Sequence, residues 1–189
     1  MHQVSGHFLR VAFVLAPLLA IAAPVRAQVA ISEFMADNAD TLLDEDGESS
    51  DWIELHNTSP QAASVGGWEL RDEGSAFVIP VGTTIPANGY LVLARDLSAF
   101  SAQFPTVTNV IGDLGFGLAG GGERVELISL GGLHDFVEYD DSFPWPTGPD
   151  GGGTTLELID AGMDNALAGS WAESTVLGGT PGEQNSVTP

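Results

Sequence analysis

The chain has neither cysteine nor lysine among its 189 residues, and each absence narrows the chemistry. Without cysteine there is no disulfide, no thiolate metal ligand and no thiol nucleophile, so stability must come from an apolar core, from bound ions, or from both. Only five arginines oppose 26 acidic residues. Binding to nucleic acid or to anionic lipid needs basic side chains against phosphate, so we exclude nucleic acid as a partner.

The first 27 residues have the pattern of a secretory signal peptide. Arg10 precedes an apolar run from 11 to 23, and Val25 and Ala27 provide small side chains where signal peptidase reads them. An apolar run of this length spans about 20 Å as a helix, whereas the hydrocarbon core of a bilayer is about 30 Å thick. We therefore predict cleavage between Ala27 and Gln28, with no membrane insertion of the product.

The predicted mature chain, residues 28–189, is expected to form one domain outside the cytoplasm. It carries three arginines and all 26 acidic residues, a net charge of −23. Its apolar content is nevertheless sufficient for a folded core. We expect a secreted protein, located in the medium, on the cell surface or in the periplasm.

Short apolar or alternating runs separated by Gly, Pro, Asn and Asp predict an all-β protein. Turn signals recur about every 8 to 12 residues, which favours a β-sandwich. One short helix is predicted at 97–104, capped by Asp96 or Ser98 and ended by Pro105. The predicted strands are 29–36, 52–57, 67–71, 76–80, 89–95, 108–111, 124–129, 134–139 and 155–159.

The order of side chains in the predicted strand 52–57 indicates how its sheet is buried. Ile53 and Leu55 point to one side, whereas Trp52, Glu54 and His56 point to the other. This alternation is typical of a sheet with one buried face.

A series of motifs follows the chain in a specific order. The motifs are Ile-Ser-Glu-Phe-Met-Ala at 31–36, Asp-Trp-Ile-Glu-Leu-His-Asn at 51–57, Gly-Trp-Glu-Leu at 67–70, Ile-Pro-Ala-Asn-Gly-Tyr-Leu at 85–91, Gly-Glu-Arg-Val-Glu-Leu at 122–127, and Gly-Thr-Pro-Gly at 179–182 with Asn185. This series resembles the lamin tail domain, in the form carried by bacterial secreted and surface proteins. The resemblance implies an immunoglobulin-like β-sandwich and brings no catalytic residues.

An acidic loop offers the leading candidate ion site, for calcium. Asp44, Asp46, Glu48 and Asp51 place four carboxylates within eight positions, and calcium prefers such oxygen ligands. The spacing is not that of an EF-hand, because Leu55 would stand at its twelfth position. The alternative is a solvated turn between strands. Apart from calcium, no cofactor is expected.

Other patterns in the chain are weaker. A second acidic group runs from 135 to 141, and in so acidic a chain such groups arise by chance. Gly-x-Gly-x-x-Gly at 115–120 precedes a strand-like run and not the helix that a dinucleotide site needs. Two histidines, His56 and His134, supply no nucleophile or metal constellation. Asn57 begins a glycosylation sequon, a short pattern that is common by chance.

Trp145 lies between two prolines, Pro144 and Pro146, and so cannot belong to a central strand. Its ring is a candidate exposed contact for a sugar or a partner. Packing against the edge of the sandwich is the alternative and the more common use of tryptophan.

Our leading hypothesis is a non-catalytic exported β-sandwich for protein interaction or for surface or extracellular assembly. Its partner would be a protein or a surface polymer, which the sequence does not identify. A calcium-stabilised structural module is the first alternative, and a secreted hydrolase is the second.

Overall fold

The computed structural model describes residues 29–36 and 50–189. The predicted signal peptide and its cleavage site at Ala27 and Gln28 lie outside these residues. Asp44, Asp46 and Glu48 of the predicted calcium loop also lie outside them.

Each of the nine predicted strands overlaps a strand of the structure. Three further strands, only two or three residues long, were not predicted: β3, β6 and β12. The strands are β1 (Val29–Met35), β2 (Trp52–Asn57), β3 (Ala63–Ser64), β4 (Glu69–Arg71), β5 (Ala76–Val78), β6 (Thr84–Ile85), β7 (Tyr90–Ala94), β8 (Val110–Gly112), β9 (Gly122–Ser129), β10 (Gly132–Asp140), β11 (Leu156–Leu158) and β12 (Trp171–Glu173). The helical pieces are α1 (Leu97–Gln103), a turn at Pro149–Gly152, and a 3₁₀ turn at Ala168–Ser170.

These strands form two larger sheets and one short ribbon. The six-stranded sheet has the order β12-β11-β1-β2-β7-β8, and the four-stranded sheet has the order β10-β9-β4-β5. β3 and β6 pair separately. Neighbouring strands are antiparallel, apart from the parallel pair β7 and β8. The chain is therefore all-β, as predicted.

The core lies between the two larger sheets. Ile53 and Leu55 of β2 are fully buried there, together with Leu70 of β4 and Leu127 of β9. Burying such apolar side chains is the main favourable contribution to folding. The two sheets thus form a sandwich, and we call the side of the six-stranded sheet that faces away from the four-stranded sheet the outer face.

Helix α1 covers one end of the outer face. Asp96 caps it by accepting a hydrogen bond from the Ala99 N–H at 2.8 Å, which is one of the two predicted caps. Phe100 packs edge-on against Trp52, with ring centroids 5.9 Å apart. A second, smaller apolar cluster therefore forms on the outer face.

The prediction of a single buried face for β2 is wrong. Trp52 and Glu54, which point to the outer face, are as buried as Ile53 and Leu55 on the inner face. The reason is that helix α1 and the end of the chain both pack on the outer face. Period-two alternation cannot reveal such a cover, because it reports only which side chains share a side.

Candidate functional site

Three glutamates lie side by side on the outer face of the six-stranded sheet. Glu157 on β11 pairs with Glu33 on β1, which pairs in turn with Glu54 on β2. All three are at 0% exposure. We call Glu33, Glu54 and Glu157 the glutamate cluster. Carboxyl groups are almost never buried without partners, because they lose their hydration, so the cluster must find its hydrogen bonds within the protein.

The end of the chain, residues 178–189, supplies many of these hydrogen bonds; we call it the C-terminal segment. The Thr180 N–H donates to Glu33 Oε1 at 2.9 Å. The Gly182 N–H donates to Glu54 Oε2 at 2.6 Å. Two backbone amides that would otherwise need water therefore bind carboxyl oxygens instead.

The rest of the C-terminal segment completes the cover. The Ser186 hydroxyl and the Val187 N–H donate to Glu157 Oε2 at 2.8 and 3.0 Å. The Asn185 amide group donates to one carbonyl of β1 and one of β11, at 2.8 and 2.9 Å. The segment is thus attached to both the side chains and the backbone of the sheet.

Hydroxyl groups on or next to the strands of the sheet also donate hydrogen bonds to the cluster. The Thr155 hydroxyl donates to Glu33 Oε1 at 2.6 Å, and the Ser32 hydroxyl donates to Glu54 Oε1 at 3.0 Å. Gly179 lies so close that a Cβ built on it would be 2.0 Å from Glu33 Oε1, and its φ of +74° also favours glycine. The cluster is therefore enclosed on both sides.

Burial governs the protonation of Glu33 and Glu54. It raises the pKa of Glu33 from 4.5 to about 8, and it raises the pKa of Glu54 well above its ordinary value. Burial, with smaller effects from these two carboxyls, also raises the pKa of Tyr90 on β7 to about 12. The outer face is therefore adapted to hold protonated carboxyl groups at neutral pH.

Within residues 29–36 and 50–189, no basic side chain neutralises the cluster, because each arginine has an acidic partner elsewhere. The pairs are Arg71 with Glu69, Arg95 with Asp51, and Arg124 with Glu126 and Glu138.

A cleft of about 370 Å³ opens on the outer face beside the cluster. His56 and Tyr90 line it with stacked rings, whose centroids are 4.4 Å apart, and Asp160 and Asn185 line it as well. A second cleft of about 400 Å³ shares Asn88 and Tyr90 with the first. Burial lowers the pKa of His56, so its imidazole is neutral at pH 7. These clefts offer hydrogen-bonding groups without a positive charge.

Asp51, the one described member of the predicted calcium loop, is buried and holds a neighbouring loop. Its Oδ2 accepts a hydrogen bond from the Leu118 N–H at 2.8 Å and lies 3.8 Å from an Arg95 nitrogen. A Cβ on Gly117 would be 2.5 Å from the same oxygen. Protein groups thus engage this carboxylate, and calcium binding by the other three predicted ligands stays a prediction.

The Gly-x-Gly-x-x-Gly pattern at 115–120 leads into strand β9 and not into a helix. The tight contact at Gly117 gives the pattern a structural reason, since a larger residue there would collide with Asp51. The interpretation of these glycines as structural agrees with this geometry.

The second acidic group, residues 135–141, is divided among separate structural roles. Asp135 accepts hydrogen bonds from the Ile31 N–H at 2.8 Å and from the Asn165 amide at 2.6 Å, and burial raises its pKa. Asp140 instead accepts from the Ser142 N–H at 2.8 Å. In the part of the chain that the structure describes, no three His, Asp or Glu side chains are arranged to hold a metal ion.

Asn57, the first residue of the sequon, is fully buried. Its amide nitrogen lies 2.7, 3.2 and 2.8 Å from the carbonyl oxygens of Gln61, Ile85 and Pro86, which share its two N–H protons. A glycan cannot occupy a nitrogen that is enclosed in this way, so Asn57 joins strands to loops.

The candidate exposed contact at Trp145 is corrected by the structure. The side chain is 8% exposed and belongs to the main core, with its ring centroid 6.3 Å from that of Trp171. The flanking prolines keep Trp145 out of a strand, yet its loop folds back over the sandwich edge. Packing, the alternative considered for this residue, is what the structure shows.

Exposed apolar side chains gather at one end of the sandwich. Val81 is 94% exposed and Leu130 is 83% exposed. Both lie against the same turn, because a Cβ on Gly66 would be 3.1 Å from Val81 Cα and one on Gly67 would be 3.7 Å from Leu130 Cδ2. Leu133 follows in the β9–β10 hairpin and is also exposed. We call Val81, Leu130 and Leu133 the loop-end patch.

The sequence model of the lamin tail domain matches residues 22–141, which are 120 of the 189 residues. The chain belongs to the lamin tail domain family. This family consists of non-catalytic, structural domains of immunoglobulin-like fold. No curated protein matches this lamin tail domain.

The matched range contains only part of the outer-face site. Glu33 and Glu54 lie within it, but Glu157 and the C-terminal segment follow after its end at 141. Strands β11 and β12 nevertheless extend the same six-stranded sheet. The structure of this lamin tail domain therefore continues beyond the matched residues.

None of the described helices is both long enough and apolar enough to cross a bilayer.

Proposed function

We propose that this lamin tail domain is an exported, non-catalytic module that binds a protein or a surface polymer outside the cytoplasm. The loop-end patch is the observation that carries this proposal. Exposed apolar side chains grouped at one end of an acidic molecule are typical of an interaction site. Family membership supports the interaction role, since these domains are β-sandwich modules.

The burial of the ionisable groups supports a role without catalysis. The glutamate cluster is enclosed by its own chain, and Asp135 is used to hold β1 to a loop. A catalytic acid or base must instead reach a substrate within hydrogen-bonding distance. We therefore expect no hydrolysis of phosphoesters or glycans by the purified protein.

Binding is tested with labelled protein and surface material from cells that produce it. The parent is compared with Val81→Ser/Leu130→Ser, and with Phe143→Ser, which removes an exposed apolar side chain elsewhere. The parent and Phe143→Ser should bind saturably, and the double variant at least tenfold more weakly. Equal binding by all three proteins would refute the role of the patch.

Export is tested separately by mass spectrometry of the protein from the producing cells. The signal sequence predicts that the product begins at Gln28 and is found outside the cytoplasm. A product that still begins at Met1 would refute the proposed export.

A further inference from the structure

The Thr180 hydroxyl has more acidic partners than it has protons. Its Oγ lies 3.2 Å from Glu33 Oε2 and 2.9 Å from Glu157 Oε1. A hydroxyl carries one proton, so two ionised carboxyl groups would have to share it. If one of the two carboxyl groups is protonated, it can instead donate to the Thr180 oxygen while Thr180 donates to the other. The geometry therefore favours at least one proton on the cluster.

We infer that the outer face is a binding site for a Thr-Pro-Gly-x-x-Asn-Ser segment, which the chain's own residues 180–186 fill, and that the site holds this segment more weakly as the glutamate cluster loses protons. This inference is independent of the partner proposed above.

Each named residue of the Thr-Pro-Gly-x-x-Asn-Ser segment has a role in this site. Thr180 and Ser186 bring hydroxyl donors to the cluster. Pro181 is buried and has no N–H that would need a partner there. Gly182 has a φ of +83° and brings its N–H to Glu54. Positions 183 and 184, written x in the segment, are exposed, so packing does not restrict their side chains.

The surroundings make ionisation of Glu33 and Glu54 unfavourable while the segment is bound. Both are enclosed, and among the residues that the structure describes the titratable side chains lining the neighbouring clefts are His56, Tyr90, Asp160 and Glu183. None of these is a cation at neutral pH, since the pKa of His56 is lowered. Burial raises the pKa of Glu33 to about 8 in the closed state. Release of the segment returns the carboxyl groups to water, where they ionise near their ordinary values.

Proton linkage sets the direction and the pH window of the effect. Between about pH 4.5 and pH 8 Glu33 is ionised in the open site but keeps its proton in the closed site. Each pH unit in this window then weakens segment binding by about tenfold through Glu33, and Glu54 acts in the same direction because its pKa is also raised. Above pH 8 Glu33 ionises in the closed site as well, so its own contribution to the rise in the dissociation constant ends. The effect is thus expected across neutral pH.

The experiment uses chain 28–189, folded first and then cut at a protease site inserted after Leu177, which is exposed. A dye on a cysteine added after Pro189 reports by anisotropy whether the cut segment stays bound on dilution. The native chain has no cysteine, so labelling is specific. We expect the dissociation constant to rise at least 100-fold from pH 5 to pH 8.

The variant Glu33→Gln/Glu54→Gln mimics the protonated cluster. At position 33 the glutamine amide can donate to the Thr180 oxygen, while its carbonyl keeps the hydrogen bond from the Thr180 N–H. At position 54 the carbonyl can accept from Gly182, while the amide donates to the Ser32 oxygen. The segment should therefore bind this variant with less than a tenfold change between pH 5 and pH 8.

The matched control is Glu183→Gln, which removes one charge from an exposed position of the segment. It should keep the full pH dependence of the parent. The inference is overturned if the dissociation constant of the parent does not change with pH, or if the double variant changes as much as the parent. It is also overturned if the circular dichroism of the cut parent shows loss of the β-sheet at pH 8, because the whole sandwich would then be responding.

Discussion

The substitution Glu33→Gln should make the stability of the intact protein less dependent on pH. The pKa of Glu33 is raised in the folded state, from 4.5 to about 8, mainly by burial. Below pH 4.5 the carboxyl group is protonated in both the folded and the unfolded state. Between pH 4.5 and pH 8 it ionises only in the unfolded chain, so the free energy of unfolding falls as the pH rises. Above pH 8 it is ionised in both states, and the loss stops.

The expected magnitude follows from this window. One carboxyl group that titrates only in the unfolded chain lowers the free energy of unfolding by roughly 1.4 kcal/mol per pH unit. Over the full window Glu33 accounts for a loss of up to about 5 kcal/mol. That is a large part of the 5 to 15 kcal/mol that is typical of a folded domain. Glutamine at position 33 has no proton to lose, so the loss assigned to Glu33 disappears.

The assay is urea unfolding at pH 5, 6.5 and 8, followed by tryptophan fluorescence. Trp52, Trp145 and Trp171 are buried, so unfolding changes their surroundings. Glu183→Gln serves as the control for the loss of one negative charge. Glu33→Gln should lose several kcal/mol less than the control between pH 5 and pH 8. Parallel pH profiles for the two variants would refute the assignment of the titration to Glu33.

Three further predictions concern other sites. Gly179→Ala should destabilise the protein by several kcal/mol in the same urea assay, because its Cβ would overlap the glutamate cluster, whereas Gly169→Ala, with no atom within 4 Å, should change stability by less than about 1 kcal/mol. Asn57→Ala should cost about 2 to 4 kcal/mol, since the carbonyl groups around the buried amide lose its two N–H donors, and an unchanged urea midpoint would contradict this. If the acidic loop binds calcium, the melting temperature should be higher in millimolar calcium chloride than in sodium chloride of equal ionic strength. Asp44→Asn/Asp46→Asn should abolish this difference. Identical melting curves for the parent in the two salts would exclude the site.

The alternation of side chains was sufficient to predict the strands from sequence. Strands β1, β2 and β7 were found because Val, Ile and Leu recur at every second position between turn residues, and this pattern is local. The cap at Asp96 was found for the same reason, since a capping residue lies beside the helix that it caps. Strands β3, β6 and β12 were missed because two or three residues by themselves show no period, whereas the other three-residue strands lie within longer predicted runs.

The glutamate cluster could be decided only by the tertiary structure. Glu33 and Glu157 are separated by more than a hundred residues, and in the sequence each is one acid among 26. Sheet pairing places them side by side, and the C-terminal segment then removes them from water. Burial and long-range pairing depend on the whole chain, so a local pattern carries no sign of either. The same holds for Trp145. Its flanking prolines exclude a strand locally, but only the fold determines that its loop returns to the core.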